Sequence, residues 1–249
     1  MSLNLHYILL LFIVQALSPS PLRTSEPMKL TIDVKHVFGT DPLLMDEDYL
    51  TLHNDQVTLT KFKYYLGNLQ LKTRQGIVWR DADTYHLIDV NDETSPVYTI
   101  QMDNIPQGDY TTLSFSVGVD SIRNHSGEQE GVLNPDHGMF WMWETGYVFF
   151  KMEGLFKSEG KTSGALVYHI GRDECYRTVD LQLPQNLHLL PGRPAKLTIM
   201  ADVRKVFGGF THSAIDLRPS TNPGSIRVMG GAKAPKVANN FMQIFSVAR

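Results

Sequence analysis

The chain has 249 residues, room for one large domain or two small ones at roughly 150 residues each. Apolar residues make up 42% and charged residues 20%, a globular balance that excludes a disordered or fibrous chain. Lys plus Arg is 23 against 26 Asp plus Glu, a net charge of −3 with no block of like charge, which argues against nucleic acid as a partner; the single cysteine, Cys175, excludes an internal disulfide and any Cys-rich metal centre.

Near the N-terminus, Tyr7 to Leu17 (YILLLFIVQAL) is a mainly apolar run of 11 residues. A membrane-spanning helix needs about 20 residues, whereas this length suits the core of a secretory signal. Ser18-Pro19-Ser20-Pro21 supplies a processing zone. No Lys or Arg precedes the run, so a buried first strand is the alternative. Residues 1–26 are read as a signal peptide and 27–249 as one β domain of an exported protein, periplasmic or secreted. No transmembrane candidate follows.

Most of the remaining chain alternates apolar and polar residues with period two, the pattern of half-buried strands. Lys29 to Phe38 places Leu30, Ile32, Val34, His36 and Phe38 on one face. Leu50 to Leu59 carries a hairpin signal at Asn54-Asp55. Lys61 to Leu71 alternates up to Gly67-Asn68, where a bulge is expected. After a turn at Arg74-Gln75-Gly76, strands are expected at Ile77 to Trp79, Tyr85 to Val90, Val97 to Met102 and Thr111 to Val119, with a turn over Ile105 to Tyr110. Further strands are expected at Tyr147 to Met152, Ala165 to Ile170, Thr178 to Leu183 and Ala195 to Val206. One helix stands out at the C-terminus, where Val237, Phe241, Ile244 and Phe245 form a stripe and Pro235 suits a first turn. About a dozen short strands imply an all-β fold, an antiparallel sandwich or barrel-like single domain with a short C-terminal helix. Lys29 to Gly39 is echoed by Lys196 to Gly208, as expected of two strands with similar surroundings, or of neighbours in a sheet.

The stretch from Gly118 to Gly154 is unusual. About twenty polar, glycine-containing residues lead into Met139-Phe140-Trp141-Met142-Trp143. A loop of that length in a compact domain is more often functional than idle. The aromatic run is read either as a core plug or as the wall of a ligand pocket. Five histidines stand out: His36, His125, His137, His169 and His212. None has a short metal-binding spacing, so any shared ion requires the fold to gather them. Asp120, Glu128, Glu130 and Asp136 are candidates for a hard cation, with a solvated loop face as the plainer reading. Asn124-His125-Ser126 is formally a glycosylation sequon. There is no GxSxG, Walker loop or GxGxxG, so the chain is read as a non-enzymatic protein.

Several of these features together resemble the bacterial MbnP-like copper-binding family, exported proteins described near the copper-chelating peptide methanobactin. They are Gly118-Val119, Asn124-His125, Leu133-Asn134-Pro135, Met139 to Trp143, Gly146-Tyr147 and Tyr168-His169-Ile170-Gly171. Strand Phe62 to Leu69 and the C-terminal Ala238 to Phe241 add to the likeness. The resemblance implies an all-β copper-binding fold, with His125 and His169 as metal ligands. It also implies a tryptophan, Trp141 or Trp143, oxidised to kynurenine by a dihaem partner enzyme. Trp143 is preferred for its nearness to the Gly146 turn. The paired cysteines of some members are missing here. The residues themselves keep a second reading open: an exported β-sandwich that holds no metal and presents its loop and aromatic strip to a glycan or a protein partner.

Overall fold

The period-two pattern of the first expected strand becomes β1 (Met28–Phe38), and its Leu30, Ile32, Val34, His36 and Phe38 are each no more than 4% exposed. The computed structural model describes residues 28–81, 84–90, 97–141, 146–158, 164–208 and 225–248. The expected signal peptide, Met142, Trp143 and His212 lie outside the described residues. After β1 come β2 (Asp41–Pro42), β3 (Asp48–Leu50), β4 (Gln56–Thr73), β5 (Gly76–Arg80), β6 (Tyr85–Asp89), β7 (Val97–Ile105) and β8 (Gly108–Val117). A short helix, α1 (Ser121–Asn124), precedes β9 (Phe140–Trp141), β10 (Gly146–Lys157), β11 (Gly164–Gly171), β12 (Arg177–Leu189) and β13 (Ala195–Asp202). The chain closes with β14 (Ile226–Val228), α2 (Ala234–Phe241) and β15 (Phe245–Val247).

Two open sheets result. One runs β15-β13-β1-β2, with β7 also on β1; the other runs β12-β8-β4-β10-β11-β14, with β3, β5 and β6 on β4 and β9 on β10. The fold is therefore the expected sandwich, and among the described residues neither sheet closes into a barrel. Among the described residues, two pairs run parallel rather than antiparallel, β1 with β13 and β11 with β14. The first explains the internal echo: the two similar segments are sheet neighbours, from Leu30 opposite Ala195 to Val37 opposite Asp202.

Local chemistry sets the breaks between strands. Asn54 takes a left-handed conformation (φ 60°) in the turn from β3 to β4, and Asn68 does so (φ 50°) where the pairing of β4 with β8 slips. Asn tolerates that region better than most residues because its side chain bonds the local backbone. The turn expected over Ile105 to Tyr110 is tighter than its signal, because β7 runs to Ile105 and β8 resumes at Gly108. The strand expected through Val206 stops at Asp202, whose carboxylate accepts from the Arg204 amide (3.2 Å) and caps a 3-10 turn over Val203–Phe207.

The C-terminal stripe is buried in full, but the helix is shorter than expected: α2 stops at Phe241, Ile244 falls in a 3-10 turn over Met242–Ile244 and Phe245 in β15. Phe241 stacks on Phe150 (4.1 Å between centroids) and meets Phe62 and Tyr64 edge-on. Phe245 lies on β15 in the first sheet yet touches Phe115 on β8 in the second. The helix and last strand thus fill the space between the sheets. His36 and Tyr64 cross the same space with a hydrogen bond of 2.7 Å. Among the described residues, no helix is long and apolar enough to cross a membrane.

Candidate metal centre

The long polar stretch is more ordered than its composition implies. It contains α1 and two 3-10 turns, Gly131–Leu133 and Pro135–His137. Gly118 opens it at φ 107°, where a Cβ would stand 2.5 Å from the Phe149 ring, so only glycine fits. Asp120 caps α1 by accepting from the Arg123 amide and takes a short hydrogen bond from the Tyr85 hydroxyl. The sheet holds the rest of the loop through side chains that donate to its carbonyls. Tyr65 reaches Val132 (3.1 Å), Tyr147 reaches Leu133 (2.9 Å) and the Lys151 ammonium reaches Gly138 (2.6 Å).

This arrangement leaves a cavity of about 320 Å³ where α1, β9 and the 3-10 turn Asp173–Cys175 meet. Asn124, His125 and Trp141 line it together with Gly146 and the run Arg172-Asp173-Glu174. Asp173 receives three side chains from the facing loop. Ser121 Oγ donates to Oδ2 and Asn124 Nδ2 to Oδ1 (3.0 Å), while His125 Nε2 lies 3.2 Å from Oδ2. The Ser121 hydroxyl holds the Asp173 carboxyl below its ordinary value; the Asn124 and His125 bonds reinforce that, against partial burial. Asn124 is 2% exposed and its Oδ1 accepts from the Tyr147 amide (2.8 Å), so the formal sequon is used inside the fold and is not available to a glycan.

Trp141 is 5% exposed and extended, opposite Gly146. Its ring lies so close to β11 that a Cβ on Gly171 would come 2.9 Å from the indole; the same Cβ would stand 2.3 Å from the Tyr147 carbonyl oxygen. The glycine that ends the His169-Ile170-Gly171 motif is thus the seat of the tryptophan. Beside it, Arg172 is held at φ 71° and ψ 154°, a region nearly reserved for glycine and costing on the order of 1–3 kcal/mol.

Of the four residues expected at a metal site, the structure brings His125 and Trp141 to one cavity; Trp143 lies outside the described residues. His169 is not part of the cavity wall. It sits on the outward face of β11, opposite Lys151, and its Nε2 bonds Glu153 Oε1 at 2.7 Å. Burial pushes its pKa down, opposed by the Glu153 hydrogen bond. Burial would raise Glu153, but hydrogen bonds from His169 and Lys61 outweigh it and hold the carboxyl low. His137 turns back to the Gly131 carbonyl (3.1 Å), and Asp120 is spent as a helix cap. Cys175 is buried, and desolvation pushes its thiol up to about 11, so it stays protonated and unreactive. Asp173 and Arg172 carried no signal in the sequence beyond a charged run after a strand-ending glycine.

The donors that converge are the His125 imidazole and the Asp173 carboxylate bonded to it, beside an indole, with Glu174 also on the cavity wall. An imidazole bonded through one nitrogen to a carboxylate is the usual setting of a metal-ligating histidine, and both His125 and His169 have it. No group of three or more His, Cys, Asp or Glu able to hold an ion occurs among the described residues, which includes the four loop carboxylates. The fit to a transition metal is therefore that of an open site needing further donors.

The MbnP family matches residues 27–229, well over half of the chain. Among solved structures, MbnP from Methylosinus trichosporium aligns with a TM-score of 0.50 and 16% sequence identity, covering 73% of this chain and 78% of that one. At such low identity the alignment speaks for the fold alone. No curated protein matches. From the extent of the family match, with the sandwich fold in agreement, this chain belongs to the MbnP family.

Proposed function

We propose that this protein is an exported, non-enzymatic copper-handling protein that captures or delivers the ion at the His125–Trp141 cavity. The observation that carries the reading is that His125 and Trp141 line one small cavity together with Asp173, the carboxylate paired with the His125 imidazole. Neutral imidazole suits copper, and a carboxylate behind it raises its basicity. An intact indole is a poor ligand. Opened to kynurenine, it offers an aromatic amine and a ketone, so a dihaem partner enzyme that oxidises Trp141 would complete the donor set. His169 would join only by moving toward the cavity, and Met139 or Met142 would supply a thioether for the reduced ion.

The test is metal analysis and peptide mass spectrometry on protein purified from its native host, where any modifying partner is present. Bound copper is expected, together with a tryptophan at 141 or 143 that has lost one carbon and gained one oxygen. Copper binding is expected to vanish in His125→Ala. Unmodified tryptophan in copper-loaded protein would refute the kynurenine route while leaving a histidine and methionine site standing. Native protein without copper would sink the metal reading and favour a glycan or protein partner at the same indole.

A further inference from the structure

We propose that Asp173 is the positioning residue of this site: its carboxylate holds His125 with the proton on Nε2, so that Nδ1 is the nitrogen His125 offers to a ligand. That the ligand is copper rests on the reading above; the tautomer does not. The Tyr147 amide can only donate, and it meets Asn124 Oδ1. The amide of Asn124 is therefore oriented, and its Nδ2 faces Asp173 Oδ1 as a donor. Ser121 Oγ donates to Oδ2. A carboxylate that takes such donors has only lone pairs left for His125, so Nε2 must bring the proton. In a neutral imidazole that leaves Nδ1 as the lone-pair nitrogen, and Nδ1 bonds no described residue. The two residues are 48 positions apart, so the pairing exists only in the folded chain. Asp173 itself is fixed from both sides, by the strained Arg172 before it and by the 3-10 turn it opens, where the Tyr176 amide returns to its carbonyl (3.1 Å).

The experiment is nitrogen-15 imidazole spectroscopy on the full metal-free chain at neutral pH, with amide spectra as the check of fold. In the wild type, the neutral imidazole of His125 is expected in the Nε2–H form. A mixture of tautomers overturns the proposal without any variant. In Asp173→Asn, the Asn124 donor retains the new amide oxygen, so the new NH₂ group faces His125. Its tautomer is then expected to invert to Nδ1–H. A folded Asp173→Asn protein that keeps the Nε2–H form overturns the proposal. Glu153→Gln, which touches His169 instead, is expected to leave His125 unchanged, and inversion there also overturns it. Copper(I) affinity, measured by competition with a chelator, is expected to fall roughly 10- to 100-fold in Asp173→Asn. If His125→Ala leaves that affinity unchanged, the copper reading fails while the tautomer result still decides Asp173.

Discussion

His36 and His125 are two imidazoles of one chain in opposite circumstances. His36 lies between the sheets, 4% exposed, bonded to the Tyr64 hydroxyl and ringed by Phe62 and Tyr64. Burial drives its pKa down to about 4, so it stays neutral and serves as a polar clasp in an apolar core. His125 stands at the rim with a side chain 64% exposed, and its partner is a carboxylate. The core residue is enclosed by Phe62 and Tyr64, whereas the rim residue lines a cavity. Burial and partner, not residue type, decide which imidazole serves packing and which is available to a ligand.

The strongest way to break the comparison is at the core. Phe241→Ala removes the ring stacked on Phe150 and edge-on to Tyr64, and is expected to cost about 3–5 kcal/mol of stability. Denaturant unfolding measures it. A loss below 1 kcal/mol would mean that the core around His36 is not the close-packed one described.

Next comes acid. A folded-state pKa of about 4 against 6.5 means that the unfolded chain binds a proton at His36 which the native chain refuses. Stability is therefore full above about pH 6.5 and falls as pH drops toward 4, by up to roughly 3 kcal/mol at 1.36 kcal/mol per unit. His86 and His169, also pushed down by burial, act in the same direction, so the informative quantity is a difference. His36→Gln, which keeps a partner for Tyr64, is expected to flatten the slope between pH 6.5 and 4. An unchanged slope would show that the core imidazole is not the acid-sensitive clasp.

A smaller effect belongs to the seat of Trp141. Gly171→Ala forces a methyl group against the Tyr147 carbonyl and the indole. It is expected to cost about 1–3 kcal/mol and to shift tryptophan fluorescence. The smallest stability effect is expected at the rim. His125→Ala changes unfolding free energy by no more than about 0.5 kcal/mol, as for exposed positions away from the core. A large loss there would make His125 a structural residue like His36 and dissolve the contrast.

The sequence alone determined most of the longer strands and the C-terminal helix, because those follow from local periodicity; the short strands β2, β9, β14 and β15 carry no such signal. Leu30 to Phe38 alternates, and Val237 and Phe241 recur at helical spacing, so one face of each had to be buried; Ile244 and Phe245 are buried too, but beyond the end of α2. It also exposed the echo that became the β1–β13 pair, and it marked the loop and aromatic strip where the cavity formed. Other matters were decided only in three dimensions. The strand expected through Val206 ended early because the Asp202 carboxylate captured the Arg204 amide and capped a 3-10 turn. The separation of His169 from His125 follows from β11 turning that side chain to the face of Glu153 and Lys151, a choice of pleat fixed by the burial of Tyr168 and Ile170 on the other side. The meeting of Asp173 with Ser121, Asn124 and His125 joins segments about fifty residues apart. Hydrogen bonds between distant side chains leave no periodic trace, so only the packed fold could pair that carboxylate with that imidazole.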